Sequence, residues 1–160
     1  MPRKCADDIR QVLGLLNSRE SLGGFSVVPI DGKNEAETAA ILRESMIFLS
    51  FSSQEGCPLP PMEAMACGCI TIGYHGRGGA EYFDRRWSFP VDKDDVVGFA
   101  KEVERVISEL KTDPQSFVQK TMLASDHILN TYTPECEEQD IGTTWLRILQ
   151  LPAMAKWAFK

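Results

Sequence analysis

The stretch from Ile47 to Gly79 constrains the fold of this chain more than any other part of the sequence. An apolar run at Ile47–Phe51 predicts a strand, and a polar loop then leads to two prolines that suit the first turn of a short helix. A second apolar run at Ile70–Gly73 predicts another strand, which a glycine loop follows. Strands that alternate with helices are typical of a parallel sheet with helices on both faces.

The rest of the chain continues this alternation. Further strands are predicted at Phe25–Ile30 and Trp87–Val91. Apolar residues at helical spacing predict helices at Asp7–Leu16, Glu35–Ser45, Asp94–Lys111, from Pro114 to Tyr132, and from Asp140 to Leu151. The predicted fold class is therefore α/β: one Rossmann-like, three-layer α/β/α domain over residues 1–151, with a mostly parallel sheet and C-terminal helices, and a tail at 152–160.

Both ends of the chain suggest missing neighbours. The first helix begins almost at residue 1, although the first strand of a doubly wound sheet lies in its middle. We therefore expect Met1–Lys4 to be the end of such a strand, in a truncated product, a fragment or a subunit that a partner completes. The tail contains Trp157 and Phe159. We expect these side chains to dock on this domain, on a missing domain or on a second copy of the chain.

The composition argues against several classes of function. The net charge of −6 disfavours a large nucleic-acid surface, because phosphates are neutralised by clustered Lys and Arg. No apolar run reaches the roughly 18 residues of a membrane span, and the N-terminus lacks a secretory signal. The five cysteines indicate reduced thiols and a cytoplasmic location. Cys67 and Cys69 fit small buried residues better than half of a zinc site, so we expect no metal and no cofactor.

The candidate chemistry is concentrated where the first central strand passes into the short helix. The N-terminus of a helix attracts anions through its free backbone N–H groups. Here these groups belong to Gly56, Cys57 and Leu59. Glu55 precedes them and Glu63 lies about one turn into the helix, so both carboxylates are expected to face one pocket. The following glycine loop, with Gly78 and Gly79, lets the backbone approach a ligand closely.

These residues resemble the E-x7-E signature of the family-4 glycosyltransferases, which have the GT-B fold. That signature commonly reads E-G-F-G-L-P-x-x-E-A-M-A-x-G. The matching residues of this chain are Glu55-Gly56-x-x-Leu59-Pro60-x-x-Glu63-Ala64-Met65-Ala66-Cys67-Gly68. The resemblance covers about residues 25 to 91 and includes Gly78-Gly79-Ala80-Glu81, which matches a GG-x-E motif. Several fixed residues at fixed spacing, in a strand–loop–helix context, make the signal specific.

The resemblance implies that the chain is the C-terminal, donor-binding half of a GT-B enzyme. Such a domain binds a nucleotide-diphosphate sugar, and the enzymes usually retain the anomeric configuration without a bound metal. The resemblance implies that Glu55 is the catalytic carboxylate near the reacting carbon and that Glu63 hydrogen-bonds the ribose hydroxyls. The backbone amides from Gly56 to Leu59 would hold the sugar and the diphosphate, with Arg3 and Lys4 steadying the diphosphate.

The sequence departs from the signature at two positions. Cys57 and Pro58 replace the common Phe and second Gly, and proline has no N–H group and a fixed φ, so the loop is stiffer and has one donor fewer. We expect the chain alone, without an N-terminal acceptor domain, to provide at best half of an active site. The alternative hypothesis is a non-catalytic remnant that acts as a binding or oligomerisation module through its apolar tail.

Overall fold

A computed structural model describes residues 5–149 of the chain, and the predictions made for Met1–Lys4 and for the tail at 152–160 lie outside this range. A single-turn 3-10 helix occupies Gly78–Glu81. The other elements are α1 (Ala6–Ser18), α2 (Glu35–Glu44), β1 (Ile47–Glu55), α3 (Leu59–Ala66), β2 (Ile70–Arg77), β3 (Phe89–Pro90), α4 (Val96–Thr112), α5 (Pro114–Thr131) and α6 (Pro134–Ile148).

The three strands form a parallel sheet in the order β1-β2-β3. Ile47 pairs with Ile70, and Ile72 pairs with Phe89, which fixes the register of both ladders. Helices α1 and α4 pack against each other, with α4 on β2, whereas α3 packs on both long strands and on α5. This arrangement confirms the predicted Rossmann-like α/β architecture, in which a parallel sheet is covered by helices on its two faces.

The largest core cluster joins the sheet to α1 and α4. Phe99 of α4 lies at its centre, with its ring stacked on Phe51 at 4.6 Å between centroids and set edge-on to Tyr74 at 5.2 Å. Val12 and Leu16 of α1 are fully buried in the same cluster. The apolar stripe that identified α4 in the sequence is therefore the stripe that faces the sheet.

The two long strands extend beyond their apolar residues. β1 continues through a polar segment to Glu55, four residues past the predicted end at Phe51, and β2 continues to Arg77 instead of Gly73. A register shift between Ser52 and Glu55 marks the extension of β1. Hydrophobic patterning does not detect such extensions, because backbone pairing at the end of a sheet requires no apolar side chain.

The prediction of a strand at Phe25–Ile30 is wrong. This described segment has no regular secondary structure and no ladder pairing, and Val27 and Val28 are 48% and 55% exposed. Its β-branched residues resemble a strand, yet Pro29 has no N–H group to give to a partner. The segment and β1 instead border a groove of about 620 Å³.

The last helix begins earlier than predicted. α6 starts at Pro134 instead of Asp140, because the Thr133 hydroxyl accepts a hydrogen bond from the Cys136 N–H at 3.1 Å and caps the helix. Its first turns are acidic and carry no apolar stripe, so periodicity did not reveal them. Among residues 5–149, no helix is long and apolar enough to cross a membrane.

We expect Phe99→Ala to lower the free energy of unfolding by about 3–5 kcal/mol, since it removes a ring that contacts both long strands. Val97→Ala is the matched control: this residue lies two positions before Phe99, on the opposite side of α4, and is 49% exposed, so its change should stay within about 0.5 kcal/mol. Urea denaturation followed by circular dichroism measures both values. Equal destabilisation by the two changes would contradict the assigned core.

Candidate functional site

The candidate site lies where the carboxyl ends of the two long strands meet. β1 ends at Glu55 and α3 begins at Leu59, so a loop of only three residues joins them. Glu55 is paired with Arg77 in the parallel ladder, and β2 passes there directly into the 3-10 helix. The β1–α3 loop and the 3-10 helix are therefore neighbours at the edge of the sheet where α/β proteins bind ligands.

Two glycines of the 3-10 helix pack directly against this loop. A Cβ atom on Gly78 would lie 1.7 Å from the carbonyl oxygen of Gly56, so no larger residue fits there. A Cβ atom on Gly79 would lie 2.9 Å from the Tyr82 hydroxyl oxygen and 3.1 Å from Cγ of Pro58. The glycines predicted to allow close approach to a ligand here allow close approach of two protein segments.

Pro58 is the residue of the loop that is buried in the protein. It is fully buried and precedes α3 with extended backbone dihedrals, φ −74° and ψ 108°. Its carbonyl oxygen accepts a hydrogen bond from the Tyr82 hydroxyl. Pro58, which in the sequence only removes an N–H donor from the loop, is therefore the most buried residue of the loop.

The entry to α3 presents few backbone donors, and those few are at the surface. The helix has no side-chain cap, and prolines at positions 58, 60 and 61 carry no N–H group. The N–H groups of the entry segment belong to Gly56, Cys57 and Leu59, all of which are exposed residues. These are the N–H groups that the sequence predicted to form an anion site at a helix N-terminus, and that role stays a prediction.

The two carboxylates occupy different environments. Glu55 is half-buried and lines one end of the groove along β1, together with Ser52 and Pro60. Glu63 is exposed on α3 and does not line this groove, although it lies within the turn and a half that follows the loop. A second depression, of about 560 Å³, lies between the end of α1 and α4, and its lining includes none of the predicted site residues.

The structure therefore gathers most of the predicted site residues around one loop. Those brought together are Glu55, Gly56, Cys57, Leu59, Gly78 and Gly79. Glu63 stands on the helix that follows, and Arg3 and Lys4 lie outside the described residues.

Sequence reasoning missed the aromatic support behind the loop. Tyr82 is fully buried, and its backbone carbonyl accepts a hydrogen bond from Trp87 Nε1 at 3.1 Å. Tyr132 lies edge-on to Tyr82 and donates its hydroxyl to Oε1 of Glu81 at 3.2 Å. Burial raises the pKa of Tyr82, and burial and the nearby Glu81 raise the pKa of Tyr132 to about 12, so both hydroxyls remain donors at neutral pH. The only sequence signal was an aromatic residue directly after Gly78-Gly79-Ala80-Glu81.

The cysteines near the site differ strongly in exposure. Cys57 is exposed on the loop, whereas Cys69 is buried and directs its thiol toward the carbonyl oxygens of Leu42 and Ser45 at 3.2 and 3.3 Å. Burial, with a smaller contribution from Cys67, raises the pKa of Cys69 to about 12. Within the described part of the chain, no group of three or more His, Cys, Asp or Glu side chains is placed to hold a metal ion.

Comparison with known proteins gives a consistent result. A family model described as "Glycosyl transferases group 1" matches residues 16–109, which include the β1–α3 loop, Glu63 and the 3-10 helix. A curated relative is the "Alpha-1,6-glucosyltransferase" of Actinobacillus pleuropneumoniae serotype 7 (strain AP76), 43% identical over 49 residues. That match covers 31% of this chain and only 15% of the relative's own length. No solved structure matches the chain significantly.

We expect Cys57 to react with a thiol reagent in the native protein and Cys69 to remain unlabelled until the chain unfolds. Native labelling at pH 8, followed by mass spectrometry of the digested protein, measures both. At this pH a thiol with a pKa of about 12 is almost entirely protonated, and the thiolate is the reactive species. Labelling of the two residues at similar rates would contradict the buried position of Cys69.

Proposed function

The chain belongs to the family of group 1 glycosyltransferases, and from this premise we propose that it binds a nucleotide-diphosphate sugar at the β1–α3 loop for retaining glycosyl transfer. Membership of the family supports glycosyl transfer. The identity of the donor and the stereochemical course are parts of the proposal. The observation that carries it is the uncapped entry to α3, where the N–H groups belong to three exposed residues beside the half-buried Glu55.

The loop suits a diphosphate because its backbone is held in place before binding and its N–H groups carry partial positive charge. The N–H groups of three exposed residues lie at the N-terminal end of the α3 dipole, and the loop that carries two of them is held by a buried proline. Donors that are fixed before binding pay little ordering entropy when an anion arrives. We assign the diphosphate to the amides of Gly56, Cys57 and Leu59.

The two carboxylates divide the remaining work. Glu63 is exposed on α3, where a carboxylate accepts hydrogen bonds from a pair of ribose hydroxyls at little desolvation cost. Glu55 sits at the end of β1, within the groove, where it would contact the donor sugar next to the bond that breaks. Developing positive charge on the sugar ring in the transition state is stabilised by a nearby negative group, which is the role proposed for Glu55.

Transfer requires an acceptor, and the proposed division of labour leaves acceptor binding to another domain. We therefore propose that the chain alone binds its donor and does not transfer the sugar at an appreciable rate. Arg3 and Lys4 are proposed to steady the diphosphate.

We expect at least one of the UDP-, GDP- or ADP-sugars to bind the chain with a dissociation constant below about 1 mM in titration calorimetry. Glu63→Gln should weaken this binding about tenfold or more, since it replaces charge-assisted hydrogen bonds by weaker neutral ones. Glu35→Gln, at the start of α2, is the matched control and should leave binding unchanged. The proposal fails for the isolated chain if none of these donors binds at millimolar concentration.

A second candidate function is self-association through α6, which one observation favours. Ile141, Trp145 and Ile148 follow one side of the helix and are 50%, 56% and 59% exposed. Asp140 and Arg147 are seven residues apart and so lie on the same flank of this stripe. Two antiparallel copies of α6 would bury the stripe and place each Asp140 beside the Arg147 of the second copy.

We expect the chain to sediment as a dimer at about 100 µM and Trp145→Glu to make it a monomer, because the change buries a charge in the seam. Thr143→Glu is the control on the opposite side of α6 and should preserve the dimer. Sedimentation equilibrium measures the mass of each variant. A monomeric wild-type chain at this concentration would contradict this second candidate.

A further inference from the structure

The β1–α3 loop is held by residues outside its own segment, and the side chain of Tyr82 contributes a buried hydrogen bond. The loop between Glu55 and Leu59 has no side-chain cap at the helix it enters. Its carbonyl at Pro58 nevertheless has a buried donor, the hydroxyl of Tyr82, which reaches it from the segment that follows the 3-10 helix.

The residues around Pro58 pack closely against it. Pro58 and Tyr82 are both fully buried, and Gly79 passes between them so closely that a Cβ atom would meet the Tyr82 hydroxyl and the Pro58 ring. Gly76 approaches the same ring, since a Cβ atom there would lie 3.5 Å from Cγ of Pro58. Steric contact and a buried hydrogen bond thus act on the same residue of the loop.

Tyr82 is itself held in place by its neighbours. Trp87 donates its indole N–H to the Tyr82 carbonyl, and the Tyr132 ring packs edge-on at 6.0 Å between centroids. Its hydroxyl therefore has a defined position before any ligand binds. Burial keeps that hydroxyl protonated, so it donates over the whole working range of pH.

We infer that Tyr82 is a positioning residue: by donating its hydroxyl to the Pro58 carbonyl, it fixes the loop whose backbone N–H groups face the ligand. The inference rests on the proposed function where it concerns a donor sugar, and on the structure alone where it concerns the loop. Pro58, which accepts this hydrogen bond, lies between Cys57 and Leu59 in the chain. Loss of the bond therefore frees the peptide groups on both sides of Pro58. Tyr82 touches the loop and not the ligand, and it acts only through Pro58.

The test compares Tyr82→Phe with Tyr132→Phe in the ligand-free chain. Tyr82→Phe keeps the ring and removes only the hydroxyl that Pro58 accepts, whereas Tyr132→Phe removes the bond to Glu81 and leaves Pro58 untouched. Backbone order parameters are measured by 15N NMR relaxation at Gly56, Cys57 and Leu59, and at Val103 of α4 as a core reference. We expect the order parameters of the loop amides to fall from about 0.85 to about 0.6 in Tyr82→Phe alone, with Val103 unchanged.

Gly79→Ala attacks the same bond by a different route. The added methyl group would lie against the Tyr82 hydroxyl, so it should also lower the order parameters of the loop amides while Val103 stays rigid. The inference is overturned if the loop order parameters in Tyr82→Phe equal those of the wild type. It is also overturned if they fall equally in Tyr132→Phe, or fall at Val103 in step with the loop, because either result means a general loss of rigidity.

Donor binding supplies a separate readout. If a nucleotide sugar binds the wild-type chain, its dissociation constant should rise about tenfold in Tyr82→Phe and less than twofold in Tyr132→Phe, and equal effects would overturn the positioning role. If no nucleotide sugar binds the wild-type chain, the proposed function fails, and the comparison of order parameters still decides whether Tyr82 fixes the loop. The two proposals therefore fail in distinguishable ways.

Discussion

The parallel pairing of β1 with β2 is the constraint on which the rest of this structure depends. It aligns Glu55 with Arg77 and so brings the ends of both strands to one edge, although 21 positions of chain run between them. Every later contact of the site follows from this alignment: the 3-10 helix lies against the β1–α3 loop, Gly78 faces Gly56, and Tyr82 reaches Pro58. A one-residue slip would turn each side chain of β1 to the opposite face and separate these partners.

The sequence predicted the parts of the fold that depend on local pattern. Helix α4 was recognisable because its apolar stripe is long, and α3 because prolines begin it and Gly68 follows it. The segment at Phe25–Ile30 misled because composition reports what suits a strand and not whether a partner strand accepts it. The polar ends of β1 and β2 were not predicted as strand, because their pairing depends on the backbone and not on side chains that suit a strand.

The site shows the same division. The motif from Glu55 to Glu63 could be identified in the sequence, because its residues stand at fixed spacing on consecutive elements. Its support could not, because Tyr82 meets Pro58 across 24 positions through an arrangement that only the folded chain creates. Pro58 illustrates the limit best: alone it predicts a lost donor, and in the fold it is the buried residue that the 3-10 helix and Tyr82 enclose.

The segment at Phe25–Ile30 stands beside the edge of the sheet at which other copies of the chain could add a strand. In the sheet that the structure describes, β1 stands at the edge, and an edge strand offers a row of backbone groups to any passing strand. The segment at Phe25–Ile30 borders a groove together with β1 and does not join the ladder, and Pro29 has no N–H group with which to join it. A segment that does not pair thereby stands beside the edge at which strand addition, the first step toward cross-β aggregates, would begin.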